Sequence, residues 1–266
     1  MKSEKRNLPV KWDEEMAREA ELAAAMENSV VTGQFFSLRN GQLTWNDAPL
    51  PNNMMAVIIL DAIMENVYYA GKFEPDSPQS PTCFAFGRDE QTMTPHKVVV
   101  DAGTAQCDLC KNCRWNEWAS ADTGRGKACR NTRRLAMIAA GNFDHQGKLV
   151  FFDVEDYENT ALGFMKLPVT SVKGYAGYVK NLAGGLHRPP HYVATKIRVV
   201  ADAKTQFKVV FEPLITLPNE MLGIMKKRHQ EAQSLIAFPY TPIEELPPSA
   251  SKQQRAPQNK VKRGRY

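Results

Sequence analysis

Four of the five cysteines of this chain crowd into the segment CDLCKNCRWNEWASADTGRGKACRNTRR, Cys107 to Arg134, and the fifth is Cys83. Cys110 and Cys113 form a C-x2-C knuckle whose tight turn can aim both sulfurs at one ion. Cys129 and Cys83 would then supply a third and fourth thiolate from flanking segments, giving a tetrahedral S4 site of the kind zinc favours. Cys107 is left as the spare thiol. A competing set, Cys107, Cys110, Cys113 and Cys129, has the C-x2-C-x2-C run of some iron–sulfur proteins and lacks their C-x3-C-P ending. Free thiols or disulfides are the third reading, although an odd cysteine count and the lack of a secretory signal argue against a disulfide framework.

The same segment carries the chemistry of nucleic-acid binding. Arg125, Lys127, Arg130, Arg133 and Arg134 fall within ten positions, beside Trp115 and Trp118. Guanidinium and ammonium groups neutralise phosphates and release counterions, while aromatic faces stack bases at ~1–3 kcal/mol each. Gly124 and Gly126 would let the backbone approach a phosphate. Two plainer readings stand beside this one: the tryptophans as an apolar cap over the metal, and the basic cluster as a solvated face. Lys196, Arg198 and Lys208, on the polar sides of two expected strands, are further candidate contacts.

These groups need a body to hold them, and 266 residues with 43% hydrophobic content can bury a core without help from a metal. The formal charge is +5, and six basic side chains between Ser251 and Tyr266, with no acid among them, account for all of that excess. No apolar run is long enough for a membrane span, and the first ten residues lack the apolar core of an export signal. The expected setting is intracellular.

Along the chain, Asp13 can cap a helix to about Asn28, with Met16, Ala20, Ala23 and Ala24 on one side, which sets off residues 1–30 as a helical segment. A hairpin is expected around Asn40-Gly41, then a β-rich run from Met55 to Asp61 with Val67–Tyr69 as its partner. Cys83 falls in the loop-like stretch 75–95. Strands are expected over 149–154, 163–167, 192–200 and 207–211, the last two alternating cleanly. Arg133–Ala140 reads as a strand or short helix. Thr170 and Ser171 offer caps for a helix closed by Gly184-Gly185, and another helix spans about 219–236. Residues 246–266 read as a disordered basic tail. This pattern implies a β-rich α+β body over 31–245, for which an OB-like partly open barrel carrying an inserted zinc loop is one solution.

The order P-x-C-F at Pro81, C-x2-C-x2-N-x-W-x-S at Cys110, G-R-G-K-A-C-R-N-x-R-R at Gly124 and L-P-x-T-S at Leu167 resembles a widespread group of bacteriophage proteins. Members that carry a description are called single-stranded DNA-binding proteins of the replication and recombination region. The resemblance covers about residues 33–217. It implies Cys83, Cys110, Cys113 and Cys129 as the recurring thiols, with Zn2+ as cofactor and single-stranded DNA as partner. Other implied partners are phage replication or recombination proteins, in the cytoplasm of an infected bacterium. Ala119 stands where that group usually has glycine.

Enzymatic patterns fail on inspection. Gly124–Lys127 is no phosphate loop, since Ala121 and Ala128 occupy the positions of its first glycine and its Ser/Thr. His229-Gln230-Glu231 lacks the P-C-x-x-C that a zinc deaminase places after its H-x-E. Asp61, Asp101, Asp153 or Glu155 could hold the Mg2+ of a nuclease, and solvated strand ends explain them equally well. The expected function is therefore binding of single-stranded DNA. A metal-dependent nuclease and a protein-interaction adaptor are the alternatives.

Overall fold

The computed structural model describes Met16 and residues 34–39, 41–71, 80–122 and 124–240. The expected N-terminal helix, apart from Met16, and the basic tail lie outside the described residues, as does Asn40 of the hairpin turn. Among the described residues the fold is mixed α+β and strand-rich, and no helix is long and apolar enough to cross a membrane.

Its axis is β4, Met54–Tyr68, a 15-residue strand buried on both faces. Expected as two short pieces, it is one strand. Asp61 and Glu65 interrupt its apolar pattern, yet both are buried and each has a cationic partner, Arg88 for one and Arg134 for the other. Strand alternation sends Val57 and Ile59 to one core and Ala56, Ile58 and Leu60 to the other.

Around β4 runs a 10-stranded sheet. Its other strands are β1 (Gln34–Arg39), β2 (Gln42–Trp45), β3 (Ala48–Pro49), β5 (Cys83–Gly87), β6 (Arg130–Phe143), β7 (Leu149–Phe151), β8 (Gly163–Leu167), β9 (Val193–Asp202) and β10 (Gln206–Thr216). The order is β10-β9-β4-β6-β8-β1-β2-β3, with β5 added to β4 and β7 to β6. All pairings are antiparallel except β1 with β8. The path is open, since among the described residues no ladder joins β3 back to β10. The sheet nevertheless curls, so that Gly41 of the hairpin and Phe207 of β10 line one cleft.

Each face of the sheet is covered by a helix. Tyr175 and Tyr178 of α2 (Val169–Asn181) and Leu182 just beyond it pack on one core, and Met221, Met225 and Ala232 of α3 (Asn219–Leu235) pack on the other. The expected hydroxyl cap of α2 is not used. Pro168 holds the cap position, and Ser171 instead accepts the Val209 amide at 3.0 Å, tying the helix to β10. Nor do the glycines stop it, because the turn continues in wider form through Leu182–Leu186 until His187 takes a positive φ. A short helix, α1 (Lys97–Asp101), lies between β5 and the cysteine segment.

Candidate metal centre and nucleic-acid interface

The far end of β4 is where the cysteines meet. Tyr68 pairs with Cys83 on β5 and Val67 pairs with Arg130 on β6, so Cys83 and Cys129 flank the same end of the strand. Cys83 is thus the first residue of a strand, not part of a loop. Its neighbour Phe84 supplies the apolar anchor that extends β5 against β4.

The knuckle is built from two 3-10 turns, Cys110–Asn112 and Arg114–Asn116. The Cys110 amide donates to Met93 O at 2.9 Å and the Cys129 amide to Trp115 O at 2.8 Å. Asn116 donates from Nδ2 to Cys110 O at 2.9 Å, and its Oδ1 accepts Lys127 Nζ at 3.1 Å. Ser120 Oγ donates to Trp115 O and accepts from the Ala128 amide. The Asn and Ser of the motif therefore fold the loop onto itself.

All five thiols are free, and they line one cavity of about 20 Å3. Burial, reinforced by neighbouring sulfurs, pushes Cys110 up to about 11 and Cys129 up to about 12, and burial also raises Cys83. Cys107, the expected spare, lines the same cavity, and burial together with the neighbouring Cys113 and Cys110 sulfurs raises its thiol as well. The donor set suits a thiophilic ion, because soft sulfurs surround a space large enough for one small atom. Among the described residues, no trio of Cys, His, Asp or Glu is spaced as a formed metal site.

Outside the cavity the two tryptophans part company. Trp115 is half-buried, stacked on Tyr68 with centroids 4.8 Å apart, and donates from Nε1 to Gln106 Oε1 at 2.9 Å. Trp118 is 77% exposed. Lys127 lies 5.7 Å over its ring, Arg130 lies 5.7 Å over Tyr69, and Arg114 lies 4.3 Å over Trp115. Sequence reasoning misses Arg114 and Tyr69, although a basic residue beside Trp115 and an aromatic pair ending a strand are signals that could have found them.

The basic residues sort sharply. Among the described residues, Arg125, Lys127 and Arg130 have no carboxylate within ion-pair distance, whereas Lys196 and Arg198 share Glu212 at 2.7 and 2.5 Å and Lys208 meets Asp202 at 3.2 Å. Arg134 is 4% exposed. Its Nη1 donates to Ile236 O and Phe238 O, and its guanidinium lies between the Phe86 and Phe238 rings. It is held inside the fold, away from any strand on the surface. Arg133, one residue earlier on β6, points to the opposite face of the sheet. Gly124 takes a positive φ of 77° at an exposed turn, while Gly126 needs no such conformation.

The four nuclease candidates do not assemble. Asp61 is buried against Arg88, Asp101 is exposed and paired with Lys97, and Asp153 and Glu155 stand exposed beyond β7. A cleft of about 850 Å3 at the opposite end of β4 is walled by Trp45, Met55, Phe143 and Phe152. Among the described residues, no lysine or arginine lines it. Comparison with protein-family models, curated proteins and solved structures returned no match.

Proposed function

We propose that the chain is a zinc-stabilised single-stranded DNA-binding protein, acting in phage DNA replication or recombination in the cytoplasm of an infected bacterium. The observation that carries this reading is the division among the cations. Among the described residues, Arg125, Lys127 and Arg130 lack carboxylate partners, with Lys127 over the exposed Trp118 and Arg130 over Tyr69, whereas the strand cations Lys196, Arg198 and Lys208 are already engaged by Glu212 and Asp202.

Cys83, Cys110, Cys113 and Cys129 would hold the ion, with Cys107 dispensable. A bound Zn2+ would fix the backbone on both sides of Cys129, so that the flexible cationic side chains project from a rigid base. Trp118 offers a base-stacking face and the cations track the phosphates. The curled, open sheet serves as the platform that an OB-like partly open barrel would provide. Phage replication or recombination proteins are the expected protein partners.

The test is a salt titration with single-stranded and duplex DNA. Removing one cation–phosphate pairing should flatten the slope of log K by ~0.7, so replacing Arg125, Lys127 and Arg130 together by alanine should flatten it by about two. Stability should fall only slightly, by the roughly 1 kcal/mol that the Lys127–Asn116 hydrogen bond contributes, with the fold kept. Preference for duplex, or an unchanged slope in the folded triple variant, overturns the reading.

A further inference from the structure

A second cleft, of about 450 Å3, opens beside the middle of β4 and does not share the thiol cavity. It forms where the β4–β6 register slips between Ile59 and Asp61, leaving Leu60 as an extra residue. The Leu60 carbonyl accepts from His229 Nδ1 at 2.6 Å. A carbonyl can only accept, so Nδ1 carries the proton and Nε2 of neutral His229 is an acceptor. His191 stacks on this ring, centroids 4.3 Å apart at 12°.

Facing the histidines are Asp61, Arg88, Arg133 and Tyr175. Arg88 binds Asp61 through two parallel hydrogen bonds, 2.9 and 2.5 Å, which leaves that pair neutral overall. Arg133 has no such partner among the described residues. It donates to Thr132 O at 3.1 Å, and Glu90 acts on it at longer range. A half-buried guanidinium without a carboxylate, beside a second guanidinium, gives the cleft a net positive charge and two donor forks.

We infer that this cleft is a phosphate-group site, with Arg133 and the free edge of Arg88 gripping the phosphate oxygens and the stacked His191–His229 pair walling the group that carries the phosphate. The cleft is larger than a phosphate ion, so the phosphate belongs to a nucleotide, taken either free or as the phosphorylated end of a strand. Its flat histidine rings and Tyr175 suit a sugar or base better than an aliphatic chain. The free-nucleotide arm is independent of the strand-binding reading above, and the strand-end arm rests on it.

Three probes in calorimetric titration against the full chain decide the matter: inorganic phosphate, a nucleoside monophosphate, and one oligonucleotide with and without a terminal phosphate. Nucleotide binding, or tighter binding of the phosphorylated strand, should weaken about tenfold or more in Arg133→Gln, as expected for loss of a charge-assisted fork. The Arg125, Lys127 and Arg130 triple variant should retain that terminal-phosphate advantage while binding both strands more weakly. Should Arg133→Gln fail to fold, the ring signals of His191 and His229 in wild-type protein serve instead. They should shift on adding nucleotide while those of exposed His145 stay put. Binding of the mononucleotide without a strand-end effect assigns the free nucleotide, and binding of inorganic phosphate alone overturns the nucleotide assignment. No binding of any phosphate probe, or shifts that spare both rings, overturns the site.

Discussion

Arg134 and Glu65 form a buried pair held by two hydrogen bonds, Nε to Oε2 at 3.3 Å and Nη2 to Oε1 at 3.1 Å, across the register of β6 and β4. Glu65 also accepts from the Tyr240 hydroxyl and lies 3.6 Å from Lys166 Nζ. Removing the guanidinium would leave a carboxylate with 0% exposure short of its main counter-charge. Arg134→Met should therefore cost about 3–5 kcal/mol in chemical unfolding. At temperatures where the variant stays folded, its salt slope for DNA should match wild type. A flattened slope would place Arg134 on the nucleic acid after all.

The thiol cavity gives a different kind of expectation. Cys110→Ser should lose the metal and loosen the knuckle, while Cys107→Ser should keep one zinc per chain by elemental analysis. Equal loss from both would mean that Cys107, which lines the same cavity as Cys113 and Cys110, belongs to the ligand set.

Ala119 occupies the left-handed region at φ 65°, a conformation that costs a non-glycine residue roughly 1–2 kcal/mol. Part of this is offset by the greater freedom glycine has when unfolded. Ala119→Gly should raise stability by up to about 1 kcal/mol. A fall in the unfolding midpoint would show that the methyl group packs in a way worth more than the strain.

Burial, with His229 beside it, holds His191 down at about 4 against an ordinary 6.5. Between these two values the unfolded chain takes up a proton that the folded chain refuses. Stability should thus fall as pH drops through that window and be unaffected by this group above it. His191→Gln should show a shallower pH dependence of the urea midpoint there. Identical slopes would mean that the ring ionises freely in the folded state.

Much of the sheet is legible in the sequence because alternation survives wherever one face is apolar, as in β9 and β10. The departures share a cause. Asp61 and Glu65 break the apolar run of β4, and only the distant Arg88 and Arg134 make those charges tolerable inside. Arg133 and Arg134 read as one basic cluster, yet neighbours on a strand face opposite ways. One joins the phosphate cleft and the other the buried pair. The knuckle, by contrast, is local, and its Asn116 and Ser120 act within a few residues of where they stand. The Asp61 cleft has no sequence signature, because its side chains come from β4, β6, both long helices and two connecting segments.

The parallel pairing of β1 with β8 also sets a timetable. Gln34 and Phe35 find their partners only at Gly163 and Phe164, so the first hairpin must wait for the middle of the chain to be made. At ordinary synthesis rates that delay is on the order of ten seconds. Early in that interval, until Arg130–Phe143 is made, the Met54–Leu60 stretch of β4 lacks β6, and it lacks β9 throughout. A nascent chain stalled before Arg130 would present this stretch to any passing chaperone, and newly made protein should depend on such help more than refolded full-length protein does.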